Sequence, residues 1–389
     1  MSHKRLFSRS LTAAPGRLHM AAHSHHLWPD ASFDGQVDCW ADAARLADRK
    51  WERVMGEIWP TAARHVAAEA GIGADHHDRV VFAANTHDFI VRLLPACPRA
   101  NPGGPLRILT TDGEFHSARR QFLRWEEAGE IQVTRVAVDP FESFAERFHE
   151  AARAGDHDLI FVSQMLFGTG RYVDGLGDVV ALADAAGPWV VIDGYHSFMA
   201  VPEPFPKGWG DKAFFLSGGY KYAMSGEGMG FMICPPGYGE RPPVTGWYAE
   251  FEDLRLPPGM VGYARDAMRF MGATFDPSAL YRWNAVRAML DGEGITTASI
   301  SDDVAALQRQ MVVALADTVF AKAELINPPG TTPHARFLAY RHPQAQAWCD
   351  ALKEQDCITD VRGVVIRLGF GLYHDESDVE AFAALAAAL

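Results

Sequence analysis

Trp189-Val-Val-Ile-Asp-Gly-Tyr-His196 and Phe214-Phe-Leu-Ser-Gly-Gly-Tyr-Lys-Tyr-Ala-Met-Ser-Gly-Glu-Gly-Met-Gly-Phe-Met232 decide how this chain is read. Each opens on an apolar run that is short, unbroken and rich in β-branched or aromatic side chains. Such runs mark strands buried on both faces, as in a parallel sheet. Asp193 closes the first run, with His196 three residues on. Lys221 lies just beyond the second run, across the Gly218-Gly219 pair. Ligands of open α/β sheets sit beyond the carboxyl ends of the strands, so Asp193 and Lys221 are candidate functional residues. Gly226, Gly228 and Gly230 then imply tight turns or close backbone approach.

Working outward, β-rich runs alternate with helical segments. Val80–Phe82, Leu106–Leu109, Ile131–Val138, Leu159–Val162, Val190–Ile192 and Ala213–Leu216 read as strands. His116–Ala128, Phe141–Ala154 and Asp178–Ala186 read as helices between them. This pattern predicts a mostly parallel sheet covered on both faces. Upstream, Trp40, Ala43, Ala47, Trp51, Val54 and Ile58 recur at spacings of three and four. They predict one helix over 35–59, ended by Pro60. A second helix is expected from Thr61, as N-cap, to Gly71. After Pro277 two helices (Ser278–Leu290 and Asp302–Val319) lead into strands at Phe337–Tyr340, Ile358–Arg362 and Val364–Leu368, closed by a helix over Asp375–Leu389. The expected organisation is an N-terminal segment and helix (1–60) contributing to a small domain and the active site, a large domain (61–277) and a small α+β domain (278–389).

Bulk properties narrow the function. The 389 residues are 48% hydrophobic and 22% charged, ordinary globular usage. A net charge of −13 argues against a nucleic-acid binder, which needs a basic face. The five cysteines (Cys39, Cys97, Cys234, Cys349, Cys357) are scattered and form no CxxC pair, which fits a reducing compartment and no disulfide framework. Lys4, Arg5 and Arg9 resemble a signal n-region, but Pro15 interrupts the next stretch and no apolar run reaches bilayer length. The expectation is a cytoplasmic protein with no membrane partner. His23, His25 and His26 lack the HExxH spacing of a zinc site, so no metal is expected. Gly226-x-Gly228-x-Gly230 is not a dinucleotide fingerprint, and no G-x-S-x-G elbow occurs.

A carboxylate and an amine at neighbouring strand ends suit pyridoxal 5′-phosphate (PLP). The lysine joins the cofactor aldehyde, and the carboxylate keeps the pyridine nitrogen protonated. The plain alternative is a loop lysine and a solvated carboxylate. The segment Gly219-Tyr220-Lys221-Tyr222, with Gly226 and Gly228 after it, resembles the cofactor-lysine motif of kynureninase, in the class V branch of fold-type I PLP enzymes. The resemblance continues in order along the chain. Asp193-Gly194-Tyr195-His196 is similar to that family's D-x-A-H. His23-Ser24-His25-His26-Leu27-Trp28-Pro29 has the spacing of its N-S-L-G-x-x-P. Asn85-Thr86, Glu114-Phe115-His116-Ser117, Thr169-Gly170, Thr245-Gly246-Trp247, Arg269-Phe270 with Gly272-Ala273-Thr274, and Val364-Val365-Ile366-Arg367 with Leu372-Tyr373 match further segments.

The resemblance implies the fold-type I PLP-dependent transferase fold, with a seven-stranded sheet, a smaller C-terminal domain and a homodimer whose active site lies at the subunit interface. It implies a Schiff base on Lys221, with Asn85, Thr86, Phe115, Thr169, Asp193, His196, Tyr220, Trp247 and Thr274 around the cofactor. Phe115 would stack on the ring, and Asn85 and Thr86 would hold the phosphate at a helix N-terminus. Arg367 would grip the substrate carboxylate, which a guanidinium fork suits, with His23, Ser24, His25 and Trp28 lining the substrate side. The chain departs from the family at Tyr195, where a small residue is usual, and at His23, His25 and His26. The expected reaction is kynureninase-like hydrolysis of a Cβ–Cγ bond of an amino acid. Alternatives are a class V aminotransferase, a β-lyase or a PLP-fold regulatory protein. A cysteine desulfurase is disfavoured, because Cys357 precedes Val361-Arg362-Gly363 and no cysteine comes after it.

Overall fold

The computed structural model describes residues 2–250, 259–330 and 333–389. A short strand β1 (Leu18–His19) precedes the main sheet, whose strands are β2 (Val80–Ala83), β3 (Leu106–Thr111), β4 (Ile131–Val136), β5 (Leu159–Ser163), β6 (Trp189–Asp193), β7 (Phe214–Gly218) and β8 (Gly230–Ile233). They lie in the order β2-β8-β7-β6-β5-β3-β4. Only β8 runs against the others, pairing antiparallel with both β2 and β7. β5 and β7 are buried along their whole length, which explains why their sequences do not alternate. This is the mostly parallel seven-stranded sheet expected from the sequence.

Because every strand but β8 points the same way, the chain leaves β2, β3, β5, β6 and β7 on one edge of the sheet. Those five exits deliver Asn85, Glu114, Ser163, Asp193 and Lys221 to one place. β8 escaped the sequence reading, since its Gly-Phe-Met-Ile is short and opens with glycine. That glycine is required: a Cβ on Gly230 would run into the Asn85 backbone.

Four further strands, β9 (Glu324–Leu325), β10 (Phe337–Arg341), β12 (Asp360–Arg362) and β13 (Val365–Gly369), form an antiparallel sheet in the order β12-β13-β10-β9. Between them β11 (Cys357–Ile358) pairs in parallel with β1 instead, so the single strand expected over 358–362 is two, divided at Thr359. The amino-terminal segment is thereby stitched to the carboxyl-terminal one. Gly369 N–H donates to the Met20 carbonyl at 2.7 Å, and Gly369 is closely packed by His23.

The helices differ from expectation in instructive places. The helix expected over 35–59 is an α-helix over Asp30–Leu46, a break at Ala47 with φ 49°, and short turns that include a π-turn over Val54–Ile58. Trp40 is 72% exposed, so the apparent stripe spans a break and does not share one face. The Asp30–Leu46 helix meets the Ser278–Gly292 helix through Gly35, where a Cβ would approach the Tyr281 carbonyl oxygen to 2.7 Å. Pro60 does not end a helix. It sits in the first turn of Trp59–Ala70, where its missing N–H has no partner to lose, and Thr61 is inside that helix rather than its cap. Gly71 does end it, at φ 104°. The helix expected over 178–186 is reduced to Leu176–Val180, and beyond it come turns closed by Leu182 N–H to Val179 and Ala183 N–H to Val180. The helix expected from Asp302 begins at Thr297, because Thr296 and Ser299 cap each other, and it stops at Ala314. Among the described residues no helix is long and apolar enough to cross a membrane.

Candidate active site

The five strand exits surround a cavity of about 570 Å³ lined by Asn85, Thr86, Phe115, Asp193, His196, Tyr220 and Lys221, together with Ser163, Met165, Phe167, Tyr195 and Glu227. Lys221 is only 5% exposed. Its Nζ lies 2.6 Å from His196 Nε2, and 4.8, 5.7 and 5.8 Å from the ring centres of Tyr195, Phe115 and Tyr220. Burial pushes its amine below the usual lysine range; the Asp193 carboxylate works against this and Arg367 adds to it. Burial likewise raises the Asp193 carboxyl, opposed by the Tyr195 N–H, which donates to it at 2.9 Å, and by Lys221. His196 is held neutral by burial, by Lys221 and by Arg367, and its buried Nδ1 has no partner.

The other end of the cavity is the start of the Thr86–Ala96 helix. The Asn85 side chain caps it, accepting from Asp88 N–H at 3.1 Å. The remaining first-turn amides have no partner within the helix and face the cavity mouth as an anion-favouring end. Phe115 stands opposite, fixed edge-on against Phe167 at 5.2 Å. Tyr195, the bulky departure from the family pattern, is accommodated by Gly218, where a Cβ would collide with the tyrosine oxygen.

The residues expected to bind substrate (Arg367, His23, Ser24, His25 and Trp28) are not among those lining the cavity; Arg367 is 2% exposed on β13. Its guanidinium donates to the Phe167 carbonyl and pairs with Asp360. His23 is fully buried and stacked on Phe337 at 4.6 Å, with Nε2 3.5 Å from Asp360 Oδ2. His25 is exposed, 3.5 Å from Glu227 at the mouth, and Trp28 packs against Gly226 with the Arg282 guanidinium 5.1 Å above its ring. Ser24 is half-buried, its N–H bonded to the Ala21 carbonyl.

Three residues expected around a cofactor do not reach the cavity. The Thr169 hydroxyl accepts from Arg171 N–H within a turn, and its neighbour Gly170 presses on Asn327 of the carboxyl-terminal region. Trp247 Nε1 donates to Thr274 Oγ1 at 3.2 Å, and Trp247 is 44% exposed. Conversely, Glu114, Ser163 and Asp360 belong to the site although the sequence assigns them no role. Glu114 is buried beneath the cavity and accepts from the Ser163 hydroxyl at 2.5 Å, from Ser163 N–H at 3.2 Å and from the Thr111 hydroxyl at 2.7 Å. Burial pushes its carboxyl up to about 7, against those donors and with the help of Asp193. Asp360 braces Arg367. An acidic residue ahead of Phe115, and another two residues before Arg362, are the only sequence signals for the two carboxylates.

A model of the kynureninase C-terminal domain matches residues 302–385, the stretch that carries Asp360 and Arg367. A search of curated proteins gives no match. Among solved structures, a C-DES mutant with glycine covalently linked to its PLP cofactor aligns over 99% of both chains, with a TM-score of 0.78 at 15% identity. The cystine C-S lyase C-DES with its product cysteine persulfide aligns over 97% of this chain and 99% of its own, at 0.76 and 16%. The cysteine desulfurase CsdA from Escherichia coli aligns over 98% and 96%, at 0.77 and 16%. The chain has the fold of these class V, fold-type I enzymes.

Proposed function

We propose that this chain is a PLP-dependent enzyme acting on an α-amino acid through Lys221, and that its reaction is hydrolytic Cβ–Cγ cleavage of the kynureninase type. The observation that carries the reading is the buried Lys221 amine, set between the Phe115 ring, Asp193 and His196 in one cavity. The residues fit the cofactor. A helix start suits a phosphate, Phe115 offers a ring face, and Asp193 is a half-buried carboxylate that opens onto the cavity with one donor. The unpartnered His196 Nδ1 leaves that ring a further contact to make.

PLP bound there supplies an aldehyde that captures amines and a protonated ring that accepts electrons from Cα. Lys221 would hold the cofactor through its amine and would serve as the base for the substrate Cα proton. The burial that lowers the affinity of Lys221 for a proton keeps its amine competent as a base. Asp193 would keep a proton on the cofactor's ring nitrogen by its charge. Arg367 orients the substrate through its carboxylate. Arg367→Ala is expected to raise the amino-acid KM at least about tenfold, the worth of a charge-assisted pair, with PLP affinity unchanged. An unaltered KM would assign Arg367 another task.

The match at residues 302–385 favours kynureninase-type cleavage. The desulfurase reading lacks a thiol: none of the five cysteines lines the cavity, and burial pushes the Cys357 thiol up to about 12. The likeness to C-DES supports β-elimination as the second reading. Incubating the PLP-loaded protein with L-kynurenine and separately with L-cystine decides between them. Anthranilate and alanine support the first reading, and cysteine persulfide with pyruvate supports the second. A keto acid with retained amino group on the cofactor supports transamination, and cofactor uptake with no turnover supports a regulatory protein.

The exposed Trp247–Thr274 pair, remote from its own cavity, supports a homodimer in which these residues serve the partner's site. Sedimentation should show a dimer; a monomer that turns substrate over would overturn this.

A further inference from the structure

The Arg367 guanidinium already has two acceptors. One Nη donates to the Phe167 carbonyl and the other to Asp360, its register partner across β12 and β13. These contacts take one N–H of each Nη and leave Nε without a partner, so an incoming carboxylate meets a guanidinium whose charge Asp360 already partly neutralises. Asp360 also pairs with Arg362 at 2.9 Å. Although burial opposes ionisation, His23, Arg367 and Arg362 hold its carboxyl down at about 2. Two guanidiniums share this one carboxylate, so any movement of Asp360 changes how far Arg367 is neutralised.

His23 supplies the missing half. It is completely buried, and neither ring nitrogen makes a hydrogen bond. Its Nε2 stands 3.5 Å from Asp360 Oδ2, close but without bonding geometry. Burial and Arg367 push the ring down to about 3 despite Asp360, so it is neutral, and a neutral imidazole still carries one N–H. An unsatisfied buried donor beside a movable carboxylate is relieved when that carboxylate turns toward it. Stacking on Phe337 keeps the ring in place to receive it.

We propose that Asp360 is a two-position gate on the substrate's carboxylate site, neutralising Arg367 when the site is empty and turning onto His23 when a carboxylate arrives. This rests on the reading of Arg367 as the carboxylate-binding residue. Asp360 therefore sets specificity: a ligand without a carboxylate does not displace it, and amino-acid affinity is lower than a free guanidinium would give.

The test is the dissociation constant of L-alanine, read from the absorption spectrum of the PLP-loaded protein. Asp360→Asn removes the competitor and should tighten L-alanine about tenfold, roughly one charge-assisted hydrogen bond. His23→Phe keeps the stacking ring but removes the second position, and should weaken L-alanine by a similar factor with PLP affinity unchanged. Opposite signs are the signature of the gate. Weakening by both variants means that Asp360 is a structural brace, and the gate is wrong. If Asp360→Asn does not fold, His23→Phe alone decides, and an unchanged affinity there overturns the proposal. Arg367→Ala separates the two levels. If it leaves L-alanine binding intact, the Arg367 reading fails and the gate with it. If it weakens binding but Asp360→Asn does not tighten it, the gate alone fails.

Discussion

Exchange of Lys221 for alanine is expected to lower turnover on the order of 10⁴-fold or more, because in the proposed reaction one side chain provides both the covalent anchor and the base. Among the described residues no second amine lines the cavity: the others carry aromatic, carboxamide, hydroxyl, carboxylate, imidazole, thioether or small side chains. Asp193, His196 and the Thr86 helix start remain, so the variant should still take up PLP, though without covalent attachment. Borohydride treatment and then mass spectrometry should add the cofactor to Lys221 of the wild type and nothing to the variant. Full activity in Lys221→Ala would remove the basis of the functional reading.

The second large effect concerns stability. The buried Glu114 carboxyl titrates near 7 in the folded chain, against an ordinary 4.5. Between these values the folded protein binds more protons than the unfolded one, so stability falls as pH rises. The contribution is complete below about pH 4.5 and lost as pH passes 7. A shift of this size corresponds to at most about 3 kcal/mol. Glu114→Gln cannot ionise. Denaturant unfolding on either side of that window should show the wild type losing stability relative to the variant. Parallel pH dependences would mean that the Thr111 and Ser163 donors fully offset the effect of burial.

How much of this site the sequence discloses depends on how each part is encoded. Asp193 and Lys221 were legible because each terminates a continuous apolar run, and a parallel sheet puts strand ends on one edge. Asn85 was named by resemblance as part of a helix start, and the structure makes its side chain the cap. Asp360 was not, because its meaning depends on strand register: Asp360 opposes Arg367 only through the β12–β13 pairing. Glu114 sat inside a recognised motif, but its burial comes from β5 two strands away in sequence. Local periodicity also misled at Ala47, where a positive φ turns the chain off the face that the spacing implied. Trp247 and Thr274 were named from resemblance alone, and a single chain leaves them outside the cavity.

The pairing of β1 with β11 has a consequence for how the protein is made. The sheet that presents Asp193 and Lys221 is complete once β8 has been synthesised. The end that holds Arg367 closes only when β11 and β13 emerge and meet the segment of Met20 and His23, translated long before them. Such distant partners must search for each other against the entropy of a very long loop. A nascent chain therefore forms the sheet edge of Asp193 and Lys221, the proposed cofactor end, before the proposed substrate end at Arg367. Slow refolding steps should register first as a protein that takes up PLP but does not yet recognise an amino acid.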